Sequence, residues 1–127
     1  MGRAIRIGAA GLVVGLMALA GAALGANPTK GAQYVGQFTH GLSKKVVLQV
    51  SRSGKSATAT LYCAGTRAGS LPRFAITKGQ FKGASHVGST TVWSMKGHFS
   101  SSRRASAVLD LNSICDAGSG GIILLRQ

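Results

Sequence analysis

The sequence predicts an all-β protein, a single antiparallel β-sandwich with a closed barrel as the alternative. Three observations carry that reading. After residue 26 no stretch sustains a helical period. The apolar residues alternate instead in short runs, the mark of half-buried strands. Gly and Ser clusters separate the runs at roughly the 8–12-residue spacing of sandwiches and small barrels. Thirteen of the 19 glycines follow Ala26, where turns and bulges would use their freedom at positive φ.

The elements follow in order. "GAQYVGQFT" reads as an opening strand. In "KKVVLQVS", Val46, Leu48 and Val50 share one face. "SRSGK" supplies a turn, and "SATATLYC" sets Ala57, Ala59, Leu61 and Cys63 against Thr58, Thr60 and Tyr62. Two alternating runs around Ser53-Gly54 make a hairpin. "RFAIT" and "QFKG" flank a second tight turn at Lys78-Gly79. "TTVWSMKGHF" places Trp93 and Met95 opposite Val92, and "RASAVLDLN" places Ala105, Ala107, Leu109 and Leu111 opposite Ser106, Val108 and Asp110. "GSGG" then leads into "IILLR", an unbroken apolar run that predicts a strand buried on both faces. The count is about seven or eight strands.

One internal echo joins two of these turns. "TKGQFKG" and "MKGHFSS" share Lys-Gly-x-Phe. Each Gly is expected to form a turn or bulge, with Phe81 and Phe99 pointing into the core and Lys78 and Lys96 solvated.

The first 26 residues have a different character. Arg3 and Arg6 precede an uncharged Ala/Gly/Leu/Val run over residues 7–26, which ends in small residues. A positive start, an apolar middle and a small-residue end are the layout of a secretory signal peptide. Cleavage is expected after Ala26, with Ala22 and Gly25 as alternatives. The expected organisation is a signal peptide at 1–26 and one secreted β domain at 27–127, extracellular or periplasmic, either free or associated with the cell envelope. No membrane span is expected after cleavage.

Removing residues 1–26 takes away Arg3 and Arg6, leaving 13 Lys+Arg against Asp110 and Asp116, a formal charge of +11. A domain so basic favours anionic partners: cell-envelope polymers, acidic glycans, or nucleic acid held non-specifically. Cys63 and Cys115 are the two cysteines. In an oxidising compartment they predict one disulfide, which would stabilise so small a domain by roughly 4 kcal/mol.

Taken together, "YVGQF", "VVLQVSRSGKSATATLYC", "FAITKGQF", "MKGHFSSSRRASAVLDL" and "CDAGSGGIILL" resemble a broad group of small secreted bacterial all-β proteins. Those chains share an early Tyr-x-Gly strand, paired Gly-x-Phe turns and a late Cys-x-x-Gly before the final strand. The resemblance spans nearly all of residues 27–127 and implies the fold and the location. It implies no activity. Many members end in a Trp-containing strand, where this chain has "IILLRQ".

The chemistry-bearing residues exclude more than they suggest. A nucleophilic site needs a Ser or Cys, a His base and an orienting carboxylate. His40, His86 and His98 are scattered, and "GSG" at 118–120 precedes a strand rather than opening a helix. No His-x-His or His-x3-His spacing offers a metal site, and nothing implies a cofactor. Asp110 and Asp116 read as a strand residue and a turn or salt-bridge residue. The protein is therefore expected not to be an enzyme. The cations remain: Lys44-Lys45, Arg52 with Lys55, Arg67 with Arg73, Lys78 with Lys82, and Arg103-Arg104 fall mostly at strand ends and turns. If Arg52/Lys55 and Arg103/Arg104 meet at one end of the fold, they form a candidate anion-binding rim. The alternatives are a small-ligand pocket lined by Trp93, Met95, Tyr34 and Phe99, or an inhibitor or protein-interaction module acting through loops such as residues 64–73.

Overall fold

A computed structural model describes residues 25–38 and 43–127. The expected signal peptide, except for its last two residues, lies outside the described residues, as does His40. Eight strands follow one another: β1 (Gln33–Phe38), β2 (Lys44–Val50), β3 (Ser56–Cys63), β4 (Thr66–Thr77), β5 (Gln80–Val87), β6 (Thr90–Ser101), β7 (Arg104–Leu111) and β8 (Gly118–Arg126). All neighbours are antiparallel, sheet order is chain order, and β8 returns to pair with β1. The all-β expectation holds, and of the two architectures considered the chain adopts the closed barrel. The links explain why. A Greek-key sandwich needs at least one long connection between non-neighbouring strands, whereas β3–β4, β4–β5, β5–β6 and β6–β7 are joined by two residues each.

Alternation decides what fills the interior. Val46, Leu48 and Val50, Ala57, Ala59 and Leu61, Trp93, Met95 and Phe99, and Ala105, Ala107, Leu109 and Leu111 all point inward, on the faces their period of two predicts. Eight strands enclose a space just wide enough for side chains to fill. Small inward residues accordingly sit near large ones. Gly83 lies under the Phe74 ring, where an added Cβ would come 2.7 Å from Cδ2.

Three expectations need correction. The run in β8 is not buried on both faces: Ile122 and Leu124 are inside, while Ile123 and Leu125 are 40% and 52% exposed. A single-layer barrel has no second layer over its outer wall, and these residues form part of that wall. Residues 64–73 are not a loop, because from Thr66 onward they belong to β4. Pro72 and Arg73 form a bulge there, with Leu71 opposite Ala59 and Phe74 opposite Ala57. The bulge spaces the inward residues by three and hides the alternation. Gly97 makes no turn. It lies within β6, where a Cβ would meet the Ser106 carbonyl oxygen and Ala107 of β7.

The two ends of the barrel are closed differently. At one end Cys63, finishing β3, is bridged to Cys115 in the β7–β8 connection, with Cα atoms 5.9 Å apart. At the other end residues 25–32 form a strap across the mouth. The Gly25 N–H donates to the Lys78 carbonyl (2.7 Å), that of Ala26 to Phe99 (2.8 Å) and that of Gly31 to Ser51 (2.9 Å). Tyr34 ties strap to core. Its buried ring meets Phe99 edge-on at 5.0 Å, and its hydroxyl donates to the Ser102 carbonyl and accepts the Thr29 N–H (2.8 Å).

Tyr34→Phe keeps the ring and removes both hydrogen bonds, so we expect a loss of about 1–2 kcal/mol. Denaturant unfolding followed by the fluorescence of Trp93 would read it. An unchanged midpoint would mean that Thr29 and Ser102 are served equally well by water.

Candidate anion-binding end of the barrel

In a meander the hairpin turns alternate between the two ends. The turns β2–β3, β4–β5 and β6–β7 therefore share the strapped end, together with the start of β1 and the end of β8. Arg52 and Lys55 occupy the first of these turns, Arg103 the third, and Arg104 opens β7. All four are exposed. Strap residues lie between the two turns: Gly31 bonds to Ser51, while Thr29 Oγ1 donates to the Ser102 carbonyl (2.9 Å). The four candidate residues thus belong to one end of the molecule.

Three further cations stand with them. Lys30 is on the strap, Lys78 is in the β4–β5 turn, and Arg126 ends β8 with Nη1 donating to Thr29 Oγ1 (3.0 Å). Seven of the 13 Lys and Arg after residue 26 are therefore at this end. Neither side-chain carboxylate is. Asp110 lies one residue from the far end of β7, and Asp116 is in the β7–β8 connection beside the disulfide. Counting hairpins around the meander could have assigned Lys78 to this end. Lys30 had no local signal, because only tertiary hydrogen bonds bring the strap across the mouth.

The other candidates are placed as follows. Trp93, Met95, Tyr34 and Phe99 are fully buried members of the interior cluster, and the buried Trp93 Nε1 finds no hydrogen-bond partner among the described residues. His86 and His98 are exposed on different strands. His86 Nδ1 lies 3.1 Å from Thr91 Oγ1, and His98 stands between Gln80 and Ser106 in the ladders. Among the described residues no three His, Cys, Asp or Glu side chains gather as metal ligands. Asp110 shares a shallow outer recess with Lys82 and Lys96. Asp116 takes the expected salt-bridge role, with an unexpected partner. Lys44 points inward at the start of β2 and is only 2% exposed. Its Nζ reaches Asp116 Oδ1 at 2.9 Å and lies 5.2 Å from the Phe38 ring centroid.

Comparison of the chain with protein-family models, curated protein sequences and solved structures returned no match.

Removing the Lys44 partner tests the disulfide end. A fully buried pair broken on one side loses about 3–5 kcal/mol. Asp116 is 41% exposed, so Asp116→Asn should cost less, about 1–2 kcal/mol. Denaturation midpoints would show it, with Asp110→Asn on the outer wall as the control expected within about 0.5 kcal/mol of wild type.

Proposed function

We propose that this chain is an exported, non-enzymatic protein that binds anionic polymers of the cell envelope, or acidic glycans, through the strapped end of its barrel. The observation that carries the reading is charge segregation: seven cations and no side-chain carboxylate at one end. Like charges crowded onto one rim repel each other, and solubility alone would be served as well by spreading them. A surface that concentrates positive potential attracts polyanions and orients the protein against them. Export is supported by the apolar run before residue 26, by the Cys63–Cys115 disulfide and by the resemblance to small secreted β proteins.

Binding of the oxidised protein to a panel of anionic polymers and to DNA, across a salt series, is the test. The log of affinity should fall with log salt, by roughly 0.7–0.9 per neutralised charge, and one envelope polymer should retain tight binding at physiological salt. Arg103→Glu combined with Arg104→Glu should weaken that binding and lower the slope by about two. Equal decay for every polymer, DNA included, would reduce the effect to counterion release. No binding at all would remove the proposal.

The strap also bears on processing. Cleavage after Ala26 would discard the Gly25 and Ala26 amides that hold Lys78 and Phe99. Cleavage after Ala22 keeps them, and Ala20-Gly21-Ala22 has the small-x-small form of a signal-peptidase site. Intact mass and N-terminal sequencing of the exported protein should therefore find Ala23 first. A start at Asn27 would show that the strap holds without its first two bonds.

A further inference from the structure

Beneath the strap the basic end carries a recess of about 280 Å³, bounded by Lys30, Lys55 and Lys78 with Ser53, Asn27 and Ile76 among its other walls. That is the lower end of the size range of small-molecule sites, about 300–1,000 Å³, and suits one charged group better than a large ligand. The three lysines come from three separate segments, each fixed by backbone bonds. The strap is held at Ser51 by Gly31, the Lys55 carbonyl accepts the Ile76 N–H (2.8 Å), and the Lys78 carbonyl accepts the Gly25 N–H. The stem of Lys30 lies against Gly54, with Cγ 3.1 Å from where a Cβ would stand. A Cβ at residue 54 would require the Lys30 stem to give by a few tenths of an ångström. Ser53 Oγ accepts the Lys55 N–H (3.2 Å) and lies 3.1 Å from Ser51 Oγ, so a hydroxyl is held at the same wall.

Lys78 also occupies an unusual turn position. Its φ is +54°, followed by Gly79 at +75°. This is the type I′ hairpin geometry, whose first position favours Asn, Asp or Gly. A lysine there is locally disfavoured, as is Ala64 in the same geometry before Gly65 (φ +49° and +84°), so the backbone by itself does not mark a site. What the lysine adds over asparagine is a cation on the recess.

The geometry points to a binding site for a tetrahedral oxyanion, a phosphate or sulfate group, held by the ammonium groups of Lys30, Lys55 and Lys78. Ammonium groups are compact point charges on flexible stems and can converge on a tetrahedral anion from several sides. Arginine's planar fork matches carboxylate and phosphate alike, whereas lysine binds phosphate as a point charge. Three such charges suit the three or four oxygens of a tetrahedral anion better than the two of a carboxylate. The inference rests on the polyanion reading and deepens it: the polymer's phosphate or sulfate esters are what the rim grips, and they are gripped in this recess.

The test is titration of the oxidised protein with inorganic phosphate, inorganic sulfate and acetate at constant ionic strength, followed by amide NMR shifts. Phosphate or sulfate should move the amides of residues 30, 53–55 and 78–79 while acetate leaves them in place. Whichever tetrahedral ion moves them at lower concentration identifies the ester. Lys78→Asn suits the turn better than the wild-type residue, so it should fold at least as stably, and it should weaken that ion by about tenfold, the loss of one charge-assisted contact. Acetate shifting the same amides equally, or shifts spread over Lys82, Lys96 and Arg67, would overturn the site. So would a Lys78→Asn protein that binds the ion as wild type does. The two readings fail separately. Undiminished polymer binding by Lys78→Asn would sink the recess and leave the basic end standing, whereas phosphate binding without any polymer binding would do the reverse.

Discussion

The barrel closes where β1 meets β8, and the closure depends on a side chain that is missing. A Cβ at Gly36 would lie 2.9–3.0 Å from the side chains of Ile122 and Leu124 and still closer to the Ile123 carbonyl oxygen. No other residue can bring β1 so near to β8 without displacing backbone. The ladder it permits is short, Tyr34 with Arg126 and Val35 with Leu125, yet the rest of the molecule follows from it. Once the sheet is circular, alternate residues of all eight strands face one another across a narrow interior. That interior is occupied by Trp93, Tyr34, Phe99 and the aliphatic residues around them. These side chains form the core of the barrel.

The ends are not equivalent, and the same closure makes them so. A meander sends its odd-numbered links to one end and its even-numbered links to the other. The odd-numbered links include the β7–β8 connection, which is long enough to carry Cys115 back to Cys63 and Asp116 to Lys44. Cys115, Asp116 and Ala117 take positive φ there without being glycine, a costly run that the disulfide and the ion pair hold in place. The other end has no covalent tie. The strap closes it through hydrogen bonds and Tyr34, a lighter closure made of backbone groups that leaves its side chains free to face outward.

How much of this was legible in the sequence follows the range of each signal. Period-two alternation is local, so β2, β3, β6 and β7 and their inward residues could be read directly. β4 could not, because the bulge at Pro72 and Arg73 sets Leu71 and Phe74 three residues apart. β8 misled for a different reason: an apolar run means burial on both faces only where another part of the chain covers the outer wall, and here Ile123 and Leu125 are left exposed. Barrel closure is a property of register across the whole sheet, and no window of sequence contains it. The candidate site divides in the same way. Arg52, Lys55, Arg103 and Arg104 were legible as turn cations. Lys30 was not, because its position depends on hydrogen bonds from the strap to strands distant in the chain. Nor was Lys44, whose inward direction makes sense only once Asp116 and Phe38 are beside it.

The cations also divide by what the barrel requires of them. The β4–β5 ladder is as short as that between β1 and β8, with Ile76 paired to Phe81 and Thr77 to Gln80. Past those pairs Leu71 and Phe74 pack toward Gly83 in place of a longer ladder. Strand edges so lightly paired invite association with other chains, and charged side chains along them discourage it. Arg67, Arg73 and Lys82 lie on these two strands, and their charge is accounted for by that role. Apart from the end of β8, the strapped end has no such edge: its strands finish in tight turns or are covered by residues 25–32. Arg126 belongs to the short β1–β8 ladder and falls under edge protection, but that role does not explain Lys30, Arg52, Lys55, Lys78, Arg103 and Arg104. Neither does solubility, which any distribution of the same charge would supply. A positive rim that the fold does not need for itself is better explained by something outside the fold.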